Sequence, residues 1–119
     1  MQFAAQDLLA KGAWAVLLKG GHLAGDVVSD LLQVAGAAPH WMRAPRIATA
    51  NTHGTGCTLS SAIAAHLALG LPLIDAVQAA RAFVRGALAA GAAVKTGQGS
   101  GPLNHGFAPQ VMRLQPQID

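Results

Sequence analysis

The sequence predicts an α/β fold with a partial, mostly parallel sheet and helices packed on it. Three features carry this prediction. A helical stretch at residues 1–11 runs into an unbroken apolar segment at 13–18. A glycine-rich turn at 51–58 separates this strand-forming half from a helical one. Residues 57–69 and 72–90 then repeat apolar side chains at helical spacing. Helix followed by buried strand is the order that builds a parallel sheet, covered by helices on both faces.

In the first element, Phe3, Ala5, Leu8 and Leu9 make an apolar side, and Gly12 is placed to cap its C-terminus. Residues 13–18 end at Lys19-Gly20-Gly21-His22, and a glycine-bounded apolar run of this length fits a strand buried on both faces. Residues 26–34 and 40–47 read as an antiparallel hairpin connected by 35–39. Pro45 sets its second strand at a sheet edge, and Arg43 and Arg46 read as solvent-facing charges. Leu59, Ile63 and Leu67, at i, i+4 and i+8, predict a well-buried helix that Gly70 ends. Pro72 opens the next helix, and Asp75 suits its N-terminus. Leu73, Val77, Ala80, Val84 and Leu88 form its core stripe, with Gln78, Arg81 and Arg85 on a solvated face. Residues 96–102 read as a loop, and 108–119 as a tail whose last residues are poorly ordered.

Composition narrows the function classes. The 119 residues are 52% hydrophobic and only 11% charged, with no glutamate. A soluble domain usually carries about 25% charged residues, so other protein is expected to cover much of this surface. The net charge of +3 comes from scattered Lys and Arg without interleaved aromatics, which gives nucleic-acid binding little support. No apolar run reaches the ~20 residues of a membrane span. A single cysteine excludes an internal disulfide and fits a reducing compartment, the cytoplasm by default. No Cys/His metal-ligand spacing is present, and with one cysteine and no glutamate a zinc site is not expected.

The chemistry concentrates at Asn51-Thr52-His53-Gly54-Thr55-Gly56-Cys57-Thr58. Glycine tolerates positive φ and lets a ligand approach the backbone. A glycine-rich turn feeding a helix leaves N–H groups free at the positive end of the macrodipole, which suits phosphate. The plainer reading is an ordinary strand-to-helix turn with a buried cysteine. His66 reads as a packed or surface histidine. His53 and Cys57 could form a nucleophile pair, but nothing marks an orienting third group. Lys19, at the C-terminal end of a strand, is placed either to contact a phosphate or simply to sit in solvent.

The block from Asn51 to Ser60 resembles the C-terminal motif of the hydroxymethylpyrimidine/phosphomethylpyrimidine kinases of thiamine biosynthesis. Lys19-Gly20-Gly21-His22 and Gly101-Pro102-Leu103-Asn104-His105 are similar to two further motifs of that family, in the same order. Gly70-Leu71-Pro72-Leu73 and Ala76-Val77 are similar to its helix-to-helix junction. The similarity runs from about residue 4 to 105. It implies a ribokinase-like three-layer α/β/α fold, of which residues 1–107 would be the C-terminal part. It also implies ATP and Mg²⁺ as cofactors, and a small pyrimidine as substrate. Members phosphorylate 4-amino-5-hydroxymethyl-2-methylpyrimidine and then its monophosphate.

On this resemblance, the backbone N–H groups of Gly54, Thr55, Gly56 and Cys57 form an anion hole for the transferred phosphoryl group. Cys57 stands where many sugar-kinase relatives carry an aspartate base, and a helix N-terminus favours the thiolate such a role needs. Lys19, Gly20, Asn51 and Thr52 are the implied nucleotide-side contacts. The family's N-terminal half, which supplies most pyrimidine contacts and the metal-binding acids, has no counterpart in these 119 residues. The implied partner is therefore that half, or a second copy of the chain. The alternatives are a truncated, non-catalytic fragment that at most binds phosphate, and the related pyridoxine/pyridoxal kinase activity. The segment at 13–18 needs layers on both faces, and the Ala-, Leu- and Val-rich helices leave apolar surface uncovered. The chain alone is accordingly expected to self-associate and to lack kinase activity. Light scattering and an ADP-release assay on residues 1–119 check both, and a soluble, active monomer would refute the expectation.

Overall fold

The computed structural model describes residues 1–113. In order, they form α1 (Gln2–Ala10), β1 (Ala15–Leu18), β2 (Val27–Val34), β3 (His40–Pro45), α2 (Thr55–Ala68) and α3 (Leu73–Gly91). The chain divides into two compact units, Met1–Arg46 and the segment from Ile47 onward. The poor order expected at the end of the tail falls on residues 114–119, outside the described residues.

In the first unit the strands form one sheet in the order β1-β2-β3, and both pairings are antiparallel. The α/β class holds, but the mostly parallel pairing is corrected. Residues 19–26 connect β1 to β2, and that is shorter than the crossover of roughly a dozen or more residues a parallel pair requires. The hairpin of β2 and β3 matches the sequence pattern, and Pro45 ends the edge strand β3. β1 is half-buried along its length rather than covered on both faces. The central strand β2 takes that place, burying Asp30, Leu31, Leu32 and Gln33 in succession. Helix α1 packs on β1 and β2. It buries Ala5 but leaves Phe3 and Leu8 exposed, so its expected apolar side is only partly used.

The polar residues buried on β2 serve the loops. Asp30 Oδ1 accepts the Gly20 N–H at 2.9 Å. Gln33 Nε2 donates to the carbonyls of Ala37 at 2.6 Å and Val34 at 3.2 Å, bracing the turn in which Gly36 takes φ +74°. Arg46 is exposed but not merely solvated. Its guanidinium donates to the carbonyls of Gly25 and Gly21, both at 2.7 Å, and to that of Leu23. Arg43 is exposed and sits 5.6 Å from the centre of the Trp41 ring.

In the second unit, α2 packs on α3. α3 buries Ala76, Val77, Ala80, Val84, Ala87 and Gly91 along one stripe, with Leu73 and Leu88 at its margins. Val77, fully buried on that stripe, contributes about 1.5–3 kcal/mol. α2 is not the well-buried helix its periodicity predicts. Leu59 is buried, whereas Leu67 is exposed, because α3 covers only one of its sides. Gly70, at φ +88°, follows the last residues of α2, and Pro72 is the N-cap of α3. The 101–107 segment returns along α3. Its Asn104 N–H donates to the Ala87 carbonyl at 3.1 Å, and Leu103 is buried. The Phe107 ring lies 5.4 Å from that of Phe83, over Gly86, where a Cβ would come within 2.5 Å of it.

Gly20 gives a direct test of the first unit. A Cβ there would collide with the Ser29 carbonyl. Gly20→Ala is expected to destabilise by about 1–3 kcal/mol, the usual cost of forcing atoms into a packed site. A lower urea midpoint with unchanged slope would register it.

Candidate functional site

The turn ahead of α2 is built around one buried amide. Asn51 is 7% exposed, and its Nδ2 donates to the carbonyls of Gly91 at 2.7 Å and Val94 at 2.6 Å, where α3 ends. Its own N–H donates to Thr49 Oγ1 at 3.0 Å. Gly101 lies against the side chain so closely that a Cβ there would collide with Asn51 Oδ1. One step on, the His53 N–H donates to the Gly101 carbonyl at 3.1 Å, and His53 pairs with Pro102 in an isolated parallel bridge. Asn51 therefore anchors the turn, with its backbone and side-chain N–H groups all bonded within the protein.

Gly54 then reverses the chain at φ +86° as the N-cap of α2. That left-handed conformation is cheap only for glycine. Its carbonyl accepts the Thr58 N–H at 2.9 Å. The Thr52 carbonyl accepts both the Thr55 N–H at 3.3 Å and Thr55 Oγ1 at 2.5 Å. The amide of Thr55 is thus turned back on the chain. Among the described residues, those of Gly54, Gly56 and Cys57 have no protein acceptor. Free N–H groups at a helix start, with the macrodipole behind them, can bind an anion. The thiol of Cys57 is free and exposed beside them, which removes the reading of a buried cysteine.

From this turn a groove of about 540 Å³ extends along α2. Cys57 and Thr58 lie at its near end, Ala62, Ala65 and Phe83 give it an apolar wall, and His66 and His105 add polar groups. His105 is legible in the sequence as part of a motif but carries no role there. Its Nε2 lies 2.8 Å from Thr58 Oγ1.

Lys19 and Gly20 belong to the other unit. Lys19 is exposed just past the end of β1, as its position in the sequence suggested. Gly20 is buried and its N–H is committed to Asp30, so its part is close packing rather than donation to a ligand. Arg46 gathers the carbonyls of the 21–25 loop beyond Lys19, a role the sequence does not signal, because an isolated arginine does not show what it will meet. Among the described residues, no group of three or more His, Cys, Asp or Glu side chains could hold a metal ion.

Replacing Asn51 separates anchoring from ligand contact. Asn51→Ala takes the side-chain donor from the Val94 carbonyl and one of two donors from that of Gly91, which keeps the Val94 N–H at 3.1 Å, and each hydrogen bond lost costs about 0.5–1.5 kcal/mol. The expected result is a lower urea midpoint in the absence of any nucleotide. Unchanged stability would return Asn51 to the ligand side.

The phosphomethylpyrimidine kinase family model matches residues 1–104. A hydroxymethylpyrimidine/phosphomethylpyrimidine kinase of Streptomyces coelicolor is 52% identical over 105 residues, covering 88% of this chain and 38% of the relative. That of Rhizobium meliloti is 50% identical over 101 residues, covering 85% and 38%. Among solved structures, the pyridoxal kinase from Staphylococcus aureus in complex with AMP-PCP and pyridoxal superposes with a TM-score of 0.83 at 35% identity. The match covers 90% of this chain and 39% of that one. The ribokinase-like class is thereby supported by both sequence and shape, although the chain spans about two fifths of the length of the curated relatives it matches. With its Asn51–Thr58 turn, and with the family match running nearly to His105, this chain belongs to the phosphomethylpyrimidine kinase family.

Proposed function

We propose that this chain supplies the phosphate-binding side of an ATP-dependent kinase in thiamine diphosphate biosynthesis, acting on 4-amino-5-hydroxymethyl-2-methylpyrimidine and its monophosphate. The observation that carries the reading is the set of free N–H groups at Gly54, Gly56 and Cys57 with an exposed thiol beside them. ATP supplies the phosphoryl group. The N–H groups hold the charge on that group where it develops, which is how preorganised donors lower a phosphoryl-transfer barrier. Cys57 Sγ, as thiolate, takes the proton of the pyrimidine hydroxymethyl group while its oxygen bonds to phosphorus. ADP leaves, and the thiol returns its proton to solvent. Lys19, exposed past β1, is the cation for the nucleotide phosphates. Thr52, exposed at the turn, lies on the same anion-facing stretch. The names of the relatives support the substrate class. The likeness to a pyridoxal kinase structure favours a second reading, phosphorylation of pyridoxal.

The test joins residues 1–119 to the N-terminal portion of the Streptomyces relative and measures ADP release with each substrate. Turnover with the pyrimidine and its monophosphate, and little with pyridoxal, is expected. Cys57→Ala is expected to lower turnover by roughly 10²–10⁴, the range of a general base, with ATP affinity little changed. Turnover of pyridoxal alone would establish the second reading, and wild-type turnover in Cys57→Ala would move the base elsewhere. A chimera that folds, binds ATP and phosphorylates neither substrate would leave the non-catalytic fragment as the reading.

A further inference from the structure

The 101–107 segment presents His105 between two fixed points. On one side, Leu103 is buried and the Asn104 N–H is bonded to the Ala87 carbonyl. On the other, Phe107 is seated on Gly86 beside Phe83. The ring of His105 is held 2.8 Å from Thr58 Oγ1. Thr58 is itself tied to the turn, because its N–H closes on the Gly54 carbonyl at 2.9 Å. Of the residues between Gly54 and Thr58, Gly56 and Cys57 carry the free donors and the thiol. Both are exposed, with no packing anchor of their own.

We propose that His105 is a positioning residue for Cys57 and for the anion-binding turn. Through its bond to Thr58 it fixes the first turn of α2, and so the direction in which the N–H groups of Gly56 and Cys57 point. The turn is then clasped at both ends by one segment: at its start through Gly101 and His53, and at its first helical turn through His105 and Thr58. This rests on the proposed role of the turn for its meaning in catalysis, but not for its test.

Cys57 is the sole cysteine, so the rate at which iodoacetamide alkylates it reports on this turn without any substrate. The thiol is already exposed, so loosening the turn cannot improve its access. It can only disorder the first turn of α2, and with it the fixed orientation in which the thiol meets the reagent. His105→Ala and Thr58→Val, in the full chain near neutral pH, are each expected to slow alkylation by about two- to tenfold, the factor one net hydrogen bond carries. The double variant is expected to be no slower than either single one, since contacting partners are not additive. His105→Gln can still reach the Thr58 hydroxyl, and Thr58→Ser retains that hydroxyl, so both should keep the wild-type rate. Unchanged rates in His105→Ala, or single effects that multiply in the double variant, would overturn the proposal. So would a slowing that tracks a fall in the urea midpoint, or that persists in His105→Gln and Thr58→Ser. A kinase that proved to use another substrate would leave the alkylation result standing, so the two readings fail separately.

Discussion

A buried carboxamide holds the second unit together. The last carbonyls of α3 have no donor left within the helix, as at every helix C-terminus. Asn51 reaches across from a segment 40 residues earlier in sequence, donates to the Val94 carbonyl just beyond the helix and adds a second donor to that of Gly91, which also accepts the Val94 N–H. Placing an amide there is favourable only because its N–H groups find carbonyls. The glycine at 101 is what leaves room for it. The end of one helix and the approach to the other are thereby set by the same side chain, and the donors of Gly54, Gly56 and Cys57 inherit their positions from it.

The first unit solves the same problem with different residues. Its loops leave backbone groups that the antiparallel sheet cannot pair. Asp30, from the central strand, takes the Gly20 N–H, and Arg46 takes the carbonyls of Gly21, Leu23 and Gly25. In both units the conspicuous polar residues near the motifs are bound first to backbone. The groups left over for chemistry are fewer than the motifs suggest: exposed Lys19 in one unit, and the turn amides with the Cys57 thiol in the other.

The apolar surface of these units is incompletely covered within the described residues. Leu67, Leu69 and Ile74 are exposed around the α2–α3 junction, and Phe3 and Leu8 are exposed on α1. That agrees with a composition poor in charge and with relatives more than twice as long as this chain. A helix such as α2, with Leu59 buried on one side and Leu67 exposed on another, has an apolar surface suited to more than one neighbour.

The sequence by itself determined the elements, because these follow from local periodicity and backbone chemistry. The hairpin, the helices on either side of Gly70, and the glycine turn opening α2 were all legible from spacing and from where glycine and proline fall. The family was legible too, since its motifs are short and contiguous. Tertiary structure decided what local pattern could not reach. The three strands paired antiparallel because connection length, not strand hydrophobicity, sets the direction of neighbours. Asn51 became an anchor and Gly20 a packing site because their partners, Gly91, Val94, Gly101 and Asp30, lie far along the chain. His105 meets Thr58, 47 residues away in sequence, beside a Phe107 ring seated on Gly86. Hydrogen bonds between residues distant in sequence leave no periodic trace, so the division of polar residues between structure and chemistry emerges only in the folded chain.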